Sequence, residues 1–345
     1  MSVPVSILIC TRNRAPHLHG TLRSVNQVSI PDHLSPVLVV VDNGSTDATP
    51  ELLRSSPVEN MPLRRAVEPE PGVSNARNTA LREAEGEILL WLDDDVRVST
   101  DWLDCMTRPI LKEKVEAVTG AVELARSRKR PWMQPFHRTA LASTESIDPE
   151  NPKNIISANM AFSRSVLDDV HGFDPELGPG TQVGALEDTL FSWQVREAGH
   201  RIGMVTETTV KHHFDEQRLT REAFVEAATV RGQSLAYIQY HWLHETHENW
   251  THRQHPYQFW RAAPVVLVKR ALDREIERWK HWLRSGDSPI RRQEFWTLMN
   301  ACGLRQYLRE RRRSRNYAER GLKKIHGKQV PVQGMEAGGG GKRAQ

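Results

Sequence analysis

Cysteine is scarce in this chain: of 345 residues, only Cys10, Cys105 and Cys302 carry a thiol. They are widely separated, odd in number and without a C-x-x-C pair, so neither a disulfide framework nor a thiolate zinc site is expected. Long apolar runs are missing too. The longest, such as residues 7–10 and 37–41, fall far short of the roughly 20 residues that cross a bilayer, and no transmembrane helix is expected. The first residues have no basic segment ahead of an apolar one, and the apolar run breaks at Thr11 and Arg12. That start reads as a first strand rather than an export signal, and the expected location is the cytoplasm.

What remains is ordinary globular composition, 38% hydrophobic and 26% charged, which provides enough apolar residues for a real core. At roughly 100 to 200 residues per domain, the length suits one large domain with an appendage, or two domains. Charge is distributed unevenly. The formal net charge is +4, yet residues 289–328 alone carry twelve Lys or Arg against Glu294, Glu310 and Glu319. The sequence pI near 9.0 therefore describes what the C-terminal segment touches, not the substrate of the slightly acidic remainder.

Residues 3–10, 37–41 and 87–92 are short runs rich in Val, Ile and Leu, each followed by polar residues and then a helical pattern. Runs of this kind mark strands buried on both faces of a parallel sheet. Turn chemistry at residues 42–47 leads to Thr49 as a helix N-cap ahead of Pro50; Ser74 is a second cap, and Gly86 a helix stop. The expected fold is α/β, a mostly parallel twisted sheet flanked by helices, with ligands beyond the carboxyl ends of the strands.

Those ends are polar. The first carries Thr11, Arg12, Asn13 and Arg14, the second Asp42 and Asn43, the third Asp93, Asp94 and Asp95. Arg12 alone reads equally well as a solvated strand end, and Asp42 as a turn former. Three adjacent carboxylates repel one another unless a cation joins them. An oxygen-seeking divalent ion, Mn²⁺ or Mg²⁺, meets that need and brings a phosphate-bearing substrate with it.

Residues 5–14, 41–47, 72–78 and 91–95, followed by 159–162, 172–174, 187–188 and 199–202, resemble in order and spacing the successive motifs of family 2 glycosyltransferases of the GT-A fold. The resemblance covers about two thirds of the chain and fades near residue 240. It implies an inverting transfer from a nucleotide-diphosphate sugar, UDP-linked by preference, to a saccharide or lipid-linked hydroxyl acceptor in cell-surface glycan or glycolipid assembly. Thr11, Arg12, Asp42, Arg77, Asp93 and Asp94 would then bind the nucleotide sugar. Asp95 would hold the metal together with His212, His213 being the alternative. Asp188 would be the base and Glu187 its acceptor-side partner; a plain helix-start charge is the competing reading of that pair. The loop at residues 178–184 would be a lid or acceptor edge. Processive relatives carry a Gln-x-x-Arg-Trp motif; here residues 193–196 read Trp-Gln-Val-Arg, so transfer of a single sugar is expected.

The domains expected are residues 1–218, catalytic; 219–326, helical and basic; and 327–345, a Gly-rich disordered tail. His241, His244, His247, His252 and His255 wander around a helix rather than converge, which argues against zinc. Val265, Val268, Leu272, Ile276, Trp279 and Leu283 form an apolar stripe among basic residues, and Leu298, Leu304, Tyr307 and Leu308 extend it. The stripe fits either docking on the catalytic domain or peripheral contact with an anionic membrane at its cytoplasmic face. A relative that binds donor without turnover is one alternative, and a nucleic-acid binder led by the basic segment is the alternative from another class. It leaves the paired acidic motifs without a use, and no nucleic-acid partner is expected.

Overall fold

The computed structural model describes residues 2–55, 58–244, 265–285 and 288–316. The three apolar runs form β1 (Val3–Thr11), β2 (Leu34–Asp42) and β4 (Ile88–Asp93), with β3 (Leu63–Val67) outside β2. Alternate side chains of each strand enter different cores. Ile7, Ile9, Leu90 and Leu92 pack with Leu18 and Leu22 of α1 (Ala15–Val25) and with Trp102 and Met106 of α4 (Trp102–Leu111). Leu8, Leu89 and Trp91 face the other way, onto Ala76 and Ala80 of α3 (Val73–Glu83) and Phe191 and Val195 of α6 (Glu187–Glu197). Burial on both faces is why these strands read as continuous apolar runs, each such side chain stabilising the fold by about 1.5–3 kcal/mol.

The sheet is mixed. Its order is β3-β2-β1-β4-β7-β6-β8-β5, where β5 is Val96–Arg97, β6 Ala117–Leu124, β7 Asn159–Ser163 and β8 Ile202–His212. The first four strands are parallel; β7 runs antiparallel to both β4 and β6. Register fixes the working edge, setting Thr11 opposite Asp42 and Cys10 opposite Asp93. The short antiparallel pairing of β5 with β8 sets Val96 opposite His212 and so carries that histidine to the acidic turn.

Three expected helix boundaries move. Thr49 is the first residue of α2 (Thr49–Arg54), and its N–H donates to Asp47 Oδ1 (2.9 Å), so Asp47 performs the capping. Ser74 lies inside α3 after Gly72, and its hydroxyl donates to Leu177 O (2.6 Å). Gly86 follows the end of α3 at Glu83, and a Cβ there would sit 2.4 Å from Ser6 N, so close approach to β1 is what requires glycine.

The helical region closes one side of the domain. A further core joins Phe224 and Val225 of α7 (Arg221–Tyr237), Leu298 and Tyr307 of α9 (Arg292–Glu310), Ile276 and Leu283 of α8 (Val265–Arg284), and Phe214 and Leu141 of the sheet domain. Leu298, Leu304 and Tyr307 are thus covered by protein, as are Ile276 and Leu283, whereas Trp279 and Trp282 are 44% and 63% exposed. The side chains of Val265, Val268 and Leu272, the histidines 247, 252 and 255, and the 327–345 tail lie outside the described residues. His241 is buried with both ring nitrogens engaged: Nε2 lies 3.1 Å from Glu310 Oε2, and Nδ1 accepts from Asn316 N. No described helix is long and apolar enough to cross a membrane.

Helices α7 and α9 cross so closely that a Cβ at Gly232 would lie 2.0 Å from Met299 O, a backbone atom that cannot swing aside. Gly232→Ala is therefore expected to force the helices apart at a cost of about 1–3 kcal/mol. Thermal unfolding should register this as a Tm lower by about 2–4 °C per kcal/mol; an unchanged Tm would refute the tight crossing.

Candidate active site

The site is built just beyond the ends of β1, β2, β4 and β8. Thr11 closes β1 and donates its hydroxyl to Asp94 Oδ2 (2.7 Å). Arg14, at the start of α1, reaches Asp94 Oδ1 with Nε (3.0 Å), Asp95 Oδ2 with Nη2 (2.5 Å) and Asp215 Oδ2 with Nη1 (3.4 Å). Asp215 in turn meets His17 Nε2 at 2.6 Å. Asp42 is buried and accepts from Ser45 N, three residues on (2.9 Å), while Arg12 lies exposed at the same rim.

Arg77 rises from α3 and is 4% exposed; Nη1 donates to Glu187 Oε1 (2.7 Å), and Nη2 lies 3.8 Å from Asp93 Oδ1. One guanidinium thus stands between the aspartate turn and the acidic pair that opens α6. Burial works against its charge, yet Glu187 and Asp93 raise its pKa. Asp188 has no arginine within ion-pair distance among the described residues; its Oδ1 accepts from Thr189 N (2.7 Å). Burial, and then the neighbouring Glu187, push its pKa up to about 6.

The aspartates at the β4 end differ from one another. Burial raises Asp93, with Arg77 opposing, and raises Asp94 to about 7 against Arg14. Burial acts on Asp95 in the same direction, but His212 and Arg14 outweigh it and hold that carboxyl below the ordinary range. Cys10, next to this turn, is no nucleophile, because burial pushes its thiol up to about 12.

Asp93, Asp95 and His212 each place one ligand atom within 4.8 Å of the others. His212 is 1% exposed, and its Nδ1–H donates to Leu141 O (2.9 Å), which aims Nε2 at Asp95 Oδ1 3.1 Å away. That Oδ1 is buried and accepts no hydrogen bond. Two carboxylates and an imidazole oriented by a backbone carbonyl form a donor set of the kind that takes a divalent cation, and the orphaned oxygen fits one. His213 is not in the cluster; its N–H donates to Asp95 O (2.7 Å).

Arg14, Arg218 and Arg231 are cleft residues to which the sequence motifs assign no role. Arg14 stands inside the first motif; Arg218 and Arg231 lie beyond the last one, where nothing in local pattern separates them from surface arginines. The 178–184 loop is tied to itself by Gly178 N to Val183 O (2.9 Å) and to α3 by Val73 N to Pro179 O (3.0 Å).

Residues 6–170, just under half of the chain, match the sequence profile described as "Glycosyl transferase family 2", and that stretch is a domain of this family. Its fold is GT-A. A mannosyltransferase from Pyrobaculum calidifontis, solved in complex with GDP-Man and Mn²⁺, superposes with a TM-score of 0.57 at 19% identity, covering 89% of this chain and 87% of that one. In sequence, the chain is similar to "Glycosyltransferase AglE" of Haloferax volcanii, 30% identical over 52% of this chain and 59% of that protein. It is also 31% identical to "Succinoglycan biosynthesis protein ExoM" of Rhizobium meliloti, over 39% of this chain and 45% of that protein. The chain thus spans about half the length of these relatives.

Saturating Mn²⁺ is expected to raise the Tm of the wild-type protein, because an ion that binds only the folded state stabilises it by mass action. Asp95→Asn and His212→Ala should each reduce the fitted Mn²⁺ affinity by about 10- to 100-fold or more. An undiminished shift in both variants would place the ion elsewhere.

Proposed function

We propose that this protein is an inverting, metal-dependent, non-processive glycosyltransferase that moves one sugar from a nucleotide-diphosphate donor to a hydroxyl acceptor in glycan or glycolipid assembly. The supporting observation is the meeting of two unlike acidic groups across Arg77: the Asp93, Asp95 and His212 cluster on one side and the Glu187 and Asp188 pair on the other. Thr11, Asp42 and Arg12 line the strand ends where the nucleotide would lie, with Asp93 and Asp94 beside them. A bound Mn²⁺ or Mg²⁺ would supply Lewis-acid stabilisation to the departing diphosphate.

The chain's own residues do the rest. Asp188 takes the proton from the acceptor hydroxyl as that oxygen attacks C1, on the face opposite the nucleotide. A pKa near 6 makes it a stronger base than an ordinary carboxylate while leaving it ionised at neutral pH. Glu187, held by Arg77, orients the acceptor side, and Arg77 keeps the two acidic groups from repelling each other. Single-sugar transfer agrees with the altered order at residues 193–196.

Turnover is tested with UDP-, GDP- and dTDP-sugars, following nucleoside diphosphate release with Mn²⁺ or EDTA. Release should require the metal, and Asp188→Asn should lower kcat by about 10²- to 10⁴-fold. Asp188 must be ionised to act, so kcat/KM should fall as pH drops below about 6, where an ordinary aspartate would stay active to about 4. No release from any donor with metal present would sink the transferase reading.

Peripheral membrane contact belongs to the same proposal. Trp279 and Trp282 stand exposed beside Arg278 and Arg284 on α8, a pairing of indole and cation suited to anionic headgroups. Vesicles containing phosphatidylglycerol should co-sediment the wild-type protein more than the Trp279→Ser, Trp282→Ser double variant; equal retention would remove this contact.

A further inference from the structure

Besides the exposed Arg12, the arginines Arg14, Arg77, Arg218 and Arg231 stand near the acidic groups, and these four divide into two pairs. Arg14 and Arg77 are matched by carboxylates at 2.5–3.8 Å. Arg218 and Arg231 have no ion-pair partner within 4.0 Å among the described residues, although each stands within electrostatic reach of the acids. Arg218 lies with its guanidinium carbon 5.4 Å from the Phe214 ring centre. Arg231 donates from Nη2 to Ala140 O (3.2 Å).

Those contacts place α7 across the cleft. Ala140 precedes Leu141, whose carbonyl orients His212, so the Arg231 guanidinium sits beside the support of the metal cluster. Three residues further along α7, Ser234 Oγ accepts from Ala185 N (3.1 Å), two residues before Glu187. Arg231 therefore stands on the stretch of helix that runs from His212 towards the acid pair. Burial first, and Arg218 next among the unfavourable influences, lower its pKa, with Asp188 and Glu187 opposing. Burial likewise lowers Arg218, and there Asp95 and Asp93 oppose. The acids that act on the two cations differ, Asp95 and Asp93 on Arg218 and Asp188 and Glu187 on Arg231, and it is Ser234, one turn beyond Arg231 on α7, that meets the loop leading to that acid pair.

Two half-buried guanidinium groups that repel each other and lack a carboxylate partner are a standing cost to the fold, which an anion offsets. We propose that Arg231, assisted by Arg218, binds an anionic substituent of the acceptor, a phosphate or a carboxylate close to the hydroxyl that Asp188 deprotonates. This rests on the transferase reading above and adds the acceptor's chemical class to it. The donor's diphosphate has the metal cluster for its charge; the acceptor side has Arg231. Binding there would also keep the anion away from Asp188 itself, the guanidinium screening one from the other.

The test pairs binding with turnover. Inorganic phosphate is titrated calorimetrically into metal-free protein, wild type and the Arg231→Ala, Arg231→Lys and Arg201→Ala variants, each first checked for a cooperative unfolding transition. Arg201, exposed and paired with Glu116, is the control. Saturable binding is expected, weakened about tenfold or more by Arg231→Ala, partly kept by Arg231→Lys and untouched by Arg201→Ala. In the donor assay, glycerol 1-phosphate and glycerate should outperform glycerol as acceptors. Arg231→Ala should raise the KM of the anionic acceptors about tenfold or more and the donor KM far less.

Phosphate binding that ignores Arg231→Ala overturns the proposal, and so does turnover with no preference for the charged acceptors. A rise in donor KM alone would assign Arg231 to the donor diphosphate and overturn it as well. Arg231-dependent phosphate binding without turnover of any donor would instead refute the transferase reading and leave the anion site standing.

Discussion

Neutralising three consecutive carboxylates at the end of a buried strand is the constraint on which this structure depends. Asp93 ends, and Asp94 and Asp95 follow, a strand whose side chains are buried on both faces, so burial pushes each towards its protonated form. The counter-charges come from distant places: Arg14 from the start of α1, Arg77 from α3 and His212 from the end of β8. None of them is a neighbour in sequence, and the β1–β4 and β5–β8 registers bring them to one point. The sheet order can therefore be read as the solution of an electrostatic problem as well as a packing one.

Much of this was legible in the chain itself, for identifiable reasons. A strand buried on both faces leaves a continuous apolar run, and the polar residues after such runs mark the ligand edge of an α/β sheet. The acidic turn at residues 93–95 stands out because like charges rarely gather without cause. Strand direction was less legible. Residues 159–163 carry no local sign that β7 runs antiparallel to β4 and β6, since direction is set by the long connections and not by side-chain alternation. The caps shifted for a similar reason: Thr49, Ser74 and Gly86 have the right chemistry, but Asp47, Gly72 and the approach of β1 decide how each is used.

The helical region shows the limit of pattern reading most clearly. An amphipathic stripe states that a face needs cover, not what covers it. Leu298 and Tyr307 pack beneath α7, while Trp279 on α8 remains exposed, and the sequence pattern treats all three alike. Arg218 and Arg231 were hidden by the same ambiguity, because an arginine on a helix is usually solvated. Histidine posed a milder version. Adjacent His212 and His213 are equivalent by spacing, and the carbonyl of Leu141, some seventy residues earlier, is what separates them.

Asp174, in the Gly-Phe-Asp motif, has a part that reaches beyond its own loop. Its buried Oδ2 accepts from Tyr237 OH (2.9 Å), at the end of α7, and from Trp242 Nε1 (2.6 Å), five residues further on. A buried carboxylate stripped of its donors is costly. The helices after residue 218 are thus tied into the sheet domain rather than forming a detachable accessory. Swapping them for those of a relative would unseat the motif aspartate in the same act, so the helices and the Gly-Phe-Asp loop are inherited as a block.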